Sequence, residues 1–289
     1  MWTAIAQQIS AQTGLPFSPQ ERRSVTGGCI NQAYRLSDGQ RAFFVKVNQA
    51  SRVAMFEAEA LGLGEIHQSQ TIRVPQPICW GTEAGQAYLV LEWLDLGTQG
   101  ESAWRSMGEQ LAALHRVGGD RGFGWHQANT IGTTPQPNPW TTGWFEFYQE
   151  QRLRYQFRLA GRRGGSFPRQ HELFMALPDL LGGHTPQPAL VHGDLWSGNA
   201  AVTVAGQPVI LDPAPYYGDR EVDLAMTELF GGFPTAFYQG YKAVYPLPEG
   251  YSRRKTLYNL YHILNHFNLF GGSYQAQANR MVDQLLRAA

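Results

Sequence analysis

The run VHGDLWSGN, residues 191–199, decides the fold. It places Asp194 five residues before Asn199, in a stretch whose glycines and serine favour a short loop. In phosphoryl-transfer sites, an Asp on such a loop accepts the proton of the acceptor hydroxyl, and an Asn further along binds a Mg²⁺ ion on the nucleotide phosphates. The run therefore predicts a catalytic loop. An ordinary turn is the alternative, because Gly, Asp, Ser and Asn all favour turns.

A second acid follows this loop. Residues 209–211 (VIL) form an apolar strand, and Asp212 comes directly after it. Turn chemistry gives no reason for an apolar strand to end in an acid, whereas the metal-binding Asp of kinases stands at this place. We therefore expect Asp194 to be the catalytic base, and Asn199 and Asp212 to bind Mg²⁺.

Length and composition indicate a globular protein without a strongly charged surface. The 289 residues are 43% hydrophobic, enough for one large core or two lobes sharing a cleft. Lys and Arg together number 23, as do Asp and Glu, so the net charge does not favour binding to nucleic acid or anionic membrane. We predict neither as a partner.

Neither the N-terminal segment nor the cysteines indicate export. Trp2, Ile5 and Ile9 recur at helical spacing among polar residues, without the apolar core of a signal peptide. No later run is long enough to span a bilayer. Cys29 and Cys79 offer neither a disulfide framework nor the CxxC spacing of a metal site, so we expect free thiols and a cytoplasmic protein.

The first third of the chain alternates like a β-sheet and carries a candidate phosphate-binding lysine. Strands are predicted at 22–26, 30–36, 41–47, 75–81 and 87–94. Alternation in the third strand puts Lys46 on the face opposite Val45 and Val47, towards a cleft, where it would contact the nucleotide phosphates. A lysine that extends along apolar surface into solvent is the alternative.

Such a lysine needs a carboxylate partner, and a predicted helix over residues 51–67 offers two. Glu59 has Met55 and Leu63 one turn away on either side, so it projects from the apolar stripe of the helix. We expect Glu59 rather than Glu57 to hold the lysine. A solvated helix face is the alternative for both.

Two further stretches are predicted to contact the nucleotide. Gly27 and Gly28 join the first two strands, and a backbone without side chains can approach a polyphosphate closely. The same glycine pair is also compatible with a simple tight turn. At the end of the fifth strand, residues 91–94, which include Glu92 and Leu94, are a candidate hinge that can contact adenine through its backbone groups.

Helical periodicity dominates the rest of the chain. We predict an α+β architecture with a β-rich lobe at 1–94 and a helical lobe at 95–289. The Gly- and Pro-rich segment 118–140 is either functional or disordered, and its aromatic residues argue against disorder. His262 and His266 stand one helical turn apart but lack the Glu of a zinc-binding HExxH motif, so we expect core or surface residues.

Taken in order, these motifs resemble the fructosamine kinase (ketosamine-3-kinase) family across nearly the whole chain. HGDxxxxN with a following Asp is shared with the wider aminoglycoside-phosphotransferase-like kinases. More particular to the fructosamine kinase branch are the Trp of HGDLWSGN and the runs MFEAEALGL (55–63), TPQPNPW (134–140) and ELFGGFP (228–234). The resemblance implies a bilobal protein-kinase-like fold, with ATP and Mg²⁺ as cofactors. It also implies phosphorylation of the sugar 3-hydroxyl of ketosamines, on small amines or glycated protein lysines, and a role in protein deglycation.

The resemblance also implies roles for individual residues. It makes Trp196 a platform for the sugar, and it assigns Asp223 to bracing the catalytic loop through backbone N–H groups. An acid stabilised by the helix dipole is the alternative for Asp223. The remaining implied roles are Asp194 as base, Asn199 and Asp212 as Mg²⁺ ligands, Lys46 as phosphate contact, Glu59 as its partner, and Gly27 and Gly28 over the phosphates.

Cys29 is a redox candidate. A thiol beside the glycine pair would lie near backbone N–H groups and Lys46, which favour the thiolate. A Cys at this place recurs in the family and is linked to disulfide-joined dimers, so we expect a monomer or a redox-dependent homodimer. A small buried apolar residue is the alternative.

Two other functions compete with this interpretation. Another small-molecule kinase of the same fold would act on an aminoglycoside, choline or a free sugar. A polycationic aminoglycoside requires an acidic cleft, and residues 118–159 are not notably acidic. A nucleotide-binding scaffold without catalysis is disfavoured because the lysine, the base and both metal ligands are all present. Neither a GxSxG elbow nor a P-loop lysine occurs.

Overall fold

The computed structural model describes residues 1–26, 30–98 and 100–288. Gly27, Gly28 and Cys29 lie outside the described residues, so the roles predicted for them stay predictions. Within the described part, no helix is both long and apolar enough to cross a membrane.

An antiparallel five-stranded sheet is the core of the first lobe, with the strand order β1-β2-β3-β5-β4. The strands are β1 Glu21–Val25, β2 Gln32–Ser37, β3 Ala42–Gln49, β4 Pro77–Glu83 and β5 Gln86–Glu92. All five predicted strands are present, and their ends differ from the predicted ones by at most two residues. Strand β3 lies at the centre, where both of its edges are paired and four of its eight residues, Lys46 among them, are buried.

Two helices cover the opposite faces of this sheet. Helix α1 (Trp2–Thr13) packs its isoleucines against the face of β3 that carries Val45 and Val47. Helix α2 (Val53–Gln68) packs against the other face, over Leu89 and Leu91 of β5. Since side chains alternate between faces along a strand, Lys46 emerges on the α2 side of the sheet.

Helices form most of the second lobe. They are α3 Glu101–Leu114, α4 Trp144–Phe147, α5 Tyr155–Arg162, α6 Gln170–Leu181, α7 Glu221–Leu229, α8 Thr235–Val244, α9 Tyr251–Phe270 and α10 Tyr274–Ala288. A π-helical stretch, Tyr148–Arg154, joins α4 to α5. The fold is therefore α+β and bilobal, as predicted, while the exact division after residue 94 stays a prediction.

Three short two-stranded ribbons carry the loops of the second lobe. They are β6 Asn129–Ile131 with β7 Thr134–Gln136, β8 Ala189–Val191 with β11 Tyr216–Gly218, and β9 Ala200–Val202 with β10 Pro208–Ile210. The catalytic loop runs from β8 to β9, and Asp212 lies between β10 and β11. Both loops are therefore anchored at each end by the same two ribbons.

Helix α2 is fixed against the second lobe at two points. Gly62 meets Pro215, where a Cβ atom would lie only 2.6 Å from the proline Cγ, so only glycine allows this approach. One turn further on, Glu65 accepts hydrogen bonds from Trp125 Nε1 at 2.6 Å and from the Tyr217 hydroxyl at 2.9 Å. These contacts set the position of α2 relative to the loop that carries Asp212.

The segment 118–140 is ordered. Phe123 and Trp125 are buried in the core of the second lobe, and the ribbon of β6 and β7 lies within the segment. Its aromatic residues account for the order, because they supply the apolar area that a disordered segment lacks.

Candidate active site

Lys46 joins three separate elements of the protein. Its Nζ lies 2.7 Å from Glu59 Oε1 on α2 and 2.5 Å from Asp212 Oδ1 after β10. Glu59, rather than Glu57, is the acid that helix geometry places beside the lysine. The lysine and glutamate side chains are buried, whereas that of Asp212 is 53% exposed. One carboxylate of the cluster therefore remains accessible to a ligand.

The charges of this cluster favour a bound cation. Burial alone would lower the pKa of Lys46, but the carboxylates of Asp212 and Glu59 outweigh that effect and raise it. Burial raises the pKa of Glu59, an effect that Lys46 opposes. One ammonium group is thus shared by two carboxylates, and Asp194 adds a third acid nearby. Oxygen ligands with an excess of negative charge suit Mg²⁺.

Asp194, the predicted proton acceptor, is mostly enclosed by its surroundings. Burial, together with the charges of Asp212 and Asp223, raises the pKa of its carboxyl to about 7. A general base works best when its pKa lies near the working pH, because it is then both deprotonated and basic enough. The side chain is 19% exposed, so an acceptor group can reach it.

Asn199 and Asp212 are oriented by the backbone around them. Asn199 donates from Nδ2 to the Asp194 carbonyl at 2.9 Å, which directs its Oδ1 away from that carbonyl. Asp212 has a φ of 52°, in the left-handed region, which an Asp adopts more readily than most side chains because it can hydrogen-bond locally. Leu211, just before it, donates its N–H to the Asn199 carbonyl at 2.9 Å. The two predicted metal ligands are therefore on adjacent, connected segments.

His192 ties the catalytic loop to the Asp212 loop. Its Nε2–H donates to the Leu211 carbonyl at 2.8 Å, and its Nδ1 accepts the N–H of Asp194 at 3.2 Å. Burial lowers the pKa of this ring, which is therefore neutral, with one donor and one acceptor nitrogen. The Ala214 N–H closes the link by donating to the His192 carbonyl at 2.9 Å.

Asp223 braces the start of the catalytic loop, through the backbone hydrogen bonds predicted for it. It is fully buried near the start of α7 and accepts the N–H groups of His192 at 2.6 Å and Gly193 at 2.9 Å. His115 Nε2 lies 3.0 Å from the same carboxylate. Burial alone would raise the pKa of Asp223, but His115, His192 and these hydrogen bonds together lower it. The helix-dipole alternative does not account for the two bonds to the loop backbone.

The sequence did not identify the amide side chains that support the segment after Asp212. Gln136 Nε2 donates to the Ala214 carbonyl at 3.0 Å, and Asn129 Nδ2 donates to the Pro215 carbonyl at 2.8 Å. Both amides are buried and come from the β6–β7 ribbon. The only signal in the sequence is the concentration of amide residues in a segment that is also rich in proline and aromatic residues.

Trp196 lies on the surface beside the catalytic loop. Its side chain is 39% exposed, and its ring centroid is 6.5 Å from that of Phe230. The ring also covers Gly198, where a Cβ atom would lie 2.4 Å from it. A residue of the core would be buried, so this exposure argues against a purely packing role for Trp196. It leaves a face of the ring for a ligand.

Glu92, one of the two residues predicted to contact adenine, already makes contacts within the first lobe. The N–H of Glu92 donates to the Gln76 carbonyl at 2.8 Å, and its carboxylate pairs with Arg73 at 2.6 Å. Leu94 follows at a half-buried position. The adenine contacts expected of Glu92 and Leu94 stay predictions.

We predict that Asp223→Asn destabilises the protein. The amide can accept only through its oxygen, so one loop N–H loses its partner and the amide N–H₂ faces donors. We expect unfolding to become easier by about 2–4 kcal/mol, measured by urea denaturation. Glu228→Gln is the matched control on the same helix, because its partly exposed pair with Lys255 should contribute less than about 1 kcal/mol. Equal stability losses in the two variants would contradict the bracing role.

The chain matches known proteins over its whole length. The family model described as fructosamine kinase matches residues 1–288. A probable ketoamine kinase of Synechocystis is 62% identical over 286 residues, covering 99% of this chain and 97% of that protein. The chloroplastic protein-ribulosamine 3-kinase of Arabidopsis thaliana is 44% identical over 270 residues, covering 91% and 82%.

Solved structures agree with the fold. A crystal structure of a candidate fructosamine-3-kinase from Haemophilus somnus 129PT has a TM-score of 0.93 and 32% identity, covering 99% of this chain and 98% of that one. An aminoglycoside phosphotransferase in a ternary complex with ADP and hygromycin B has a TM-score of 0.64 and 16% identity, covering 99% of each chain, which supports the kinase-like fold alone. Together with the family match over residues 1–288, these likenesses assign the chain to the fructosamine kinase family.

Proposed function

We propose that this protein is an ATP-dependent kinase that phosphorylates the sugar 3-hydroxyl of ketosamines. The observation that carries the proposal is the single cluster in which Lys46, Asp212 and Asp194 lie together, with Asn199 hydrogen-bonded to the catalytic loop. Membership of the fructosamine kinase family supports the ketosamine acceptor. The relatives named as a ketoamine kinase and a protein-ribulosamine 3-kinase support the same acceptor and a role in protein deglycation.

The nucleotide side of the site follows from the charged cluster. Lys46, held by Glu59, would contact the phosphates of ATP, and Asn199 and Asp212 would hold Mg²⁺ through side-chain oxygens. A Mg²⁺ ion held there would neutralise charge on the transferring phosphoryl group. By the same proposal, Gly27 and Gly28 cover the phosphates, and the backbone at Glu92 and Leu94 contacts adenine.

Proton transfer is assigned to Asp194. As the sugar oxygen attacks the γ-phosphorus, its O–H bond breaks and the proton passes to the Asp194 carboxylate. A new O–P bond forms, and the bond from the γ-phosphorus to ADP breaks. The braces at His192 and Asp223 hold the base in place during this step, so the site needs little rearrangement.

The acceptor side is proposed more broadly. Trp196 would pack its exposed face against the sugar ring of the ketosamine. The amine can be a small molecule or a lysine of a glycated protein. We also propose a cytoplasmic location. The protein is either a monomer or a homodimer joined through Cys29. We do not expect Cys79 to be the redox-sensitive thiol, because it is buried and burial raises its pKa to about 12.

We predict that Asp194→Asn abolishes phosphoryl transfer and leaves ATP binding nearly intact, because the variant loses the proton acceptor while the cluster around Lys46 stays. The assay measures ATP consumption with ribulosamines, erythrulosamines, fructosamines and aminoglycosides, and we expect turnover with ketosamines only. The variant should lose at least about 100-fold in kcat.

The matched control is Asp179→Asn, an exposed acid on α6, which should behave as wild type. Turnover with aminoglycosides alone would contradict the proposed function and favour an aminoglycoside kinase. Unchanged kcat in Asp194→Asn would overturn the assignment of the base, and lost ATP binding would give this residue a structural or metal role instead.

We predict that Trp196→Ala raises the KM for the ketosamine by roughly tenfold, equivalent to about 1.4 kcal/mol, with little change in the KM for ATP. The reason is the loss of an aromatic face beside the sugar. Trp80→Ala is a matched control, because Trp80 is 38% exposed and lies on β4 of the other lobe. A lowered Tm with an unchanged ketosamine KM would assign Trp196 to packing.

A further inference from the structure

His262 carries a buried polar atom that the described residues leave without a partner. Its side chain lies on α9 and is 3% exposed. Its Nδ1 makes no hydrogen bond within the described part of the chain, and the nearest carboxylate oxygen, Asp194 Oδ1, lies 4.0 Å away. A buried polar atom without a partner costs about 1–3 kcal/mol, so such an atom next to a catalytic base calls for an explanation.

This contact is not an ion pair. Burial and the neighbouring His266 lower the pKa of His262 to about 3, so the ring is neutral. A neutral imidazole donates from one nitrogen and accepts at the other. The nearby His266 ring does not serve as the partner of His262 Nδ1, because His266 Nδ1 donates to the His262 backbone carbonyl at 2.8 Å.

The separation of the two atoms matches two hydrogen bonds that share a single oxygen atom. At 4.0 Å, Nδ1 and Oδ1 are too far apart for a direct hydrogen bond. An oxygen about 2.8 Å from each would see them at an angle of roughly 90°, which is within the range of a tetrahedral hydroxyl. Such a hydroxyl can donate its proton to Asp194 and accept from Nδ1–H at the same time.

We propose that His262 is a binding residue for the phosphate-accepting hydroxyl of the ketosamine, donating from Nδ1 to that oxygen while the hydroxyl donates to Asp194. This inference rests on the function proposed above and adds the residue that orients its nucleophile. The oxygen keeps one lone pair for the γ-phosphorus, because its other positions are taken by carbon, by the proton directed at Asp194 and by the bond from His262. His262 keeps its own proton throughout the transfer.

The donor from His262 would restrict the orientation of the nucleophile more than Asp194 can alone. A hydroxyl held only by Asp194 can rotate about that single hydrogen bond, whereas a second bond fixes the direction of the free lone pair. Orientation of this kind lowers the barrier because the reacting atoms begin close to the geometry of the transition state.

The test compares two variants of equal side-chain size, His262→Leu and His262→Asn. The amide nitrogen of Asn can take the place of Nδ1 as a donor, whereas Leu cannot donate. We expect His262→Leu to lower kcat/KM for a ribulosamine about 10- to 100-fold, and His262→Asn to restore it to within about fivefold of wild type. Affinity for ADP and Tm, measured by calorimetry, should be alike in the two variants.

Three results would overturn the inference. They are wild-type acceptor kinetics in His262→Leu, equal losses in the Leu and Asn variants, and an ADP affinity that falls in parallel with kcat/KM. If His262→Leu does not fold, His262→Ala replaces it in a binding experiment on the ADP complex. There, wild type should bind a ribulosamine about tenfold more tightly than its 3-deoxy analogue, and the Ala variant, which keeps only the hydrogen bond to Asp194, should discriminate by less than about threefold.

The proposed function can fail separately from this inference. Wild-type protein that phosphorylates no ketosamine contradicts the function. Wild-type protein that phosphorylates ketosamines, together with a His262→Leu variant that does so equally well, contradicts only the role of His262.

Discussion

The shared lysine is the interaction on which the arrangement of the site depends. Lys46 is the point where the central strand β3, helix α2 and the loop after β10 meet, through Glu59 and Asp212. A buried ammonium group is stable only when it is paired, so any displacement of α2 or of the loop would leave a charge without its partner. Gly62 and Glu65 add an apolar contact and two hydrogen bonds that hold the same helix in the same place. The contacts that position α2 and the ion pairs of Lys46 therefore stabilise the same arrangement.

In the second lobe, the catalytic loop and the loop that carries Asp212 are likewise held in place by several contacts. Their ends are fixed by two short ribbons, and their middles are joined through His192 and the backbone around Asn199. Asp223 holds the entrance of the catalytic loop by its N–H groups. Groups held in this way need little movement when a reaction begins, which is how preorganised polar sites lower a barrier. The same enclosure raises the pKa of Asp194, so the packing that fixes the proposed base also makes it more basic.

Local patterns in the sequence predicted much of this arrangement. Alternation along β3 placed Lys46 on the correct face, and helical spacing selected Glu59, because both signals depend only on neighbours in the chain. The spacing of Asp194, Asn199 and Asp212 was informative because chemistry constrains it. The support from His115, Asn129 and Gln136 was not predicted, since these residues act on segments far away in sequence. His262 was interpreted as a core or surface residue, because periodicity says nothing about which loop faces a buried ring.

The central claim is the proposal that Asp212, together with Asn199, would hold Mg²⁺ beside the phosphates of ATP. The most direct measurement is the affinity for ATP, by calorimetry, with and without Mg²⁺, in wild type and in Asp212→Asn. The account predicts that Mg²⁺ strengthens ATP binding at least about tenfold in wild type and by less than about threefold in the variant, which loses a charged metal ligand. An equal effect of Mg²⁺ on the two proteins would contradict it.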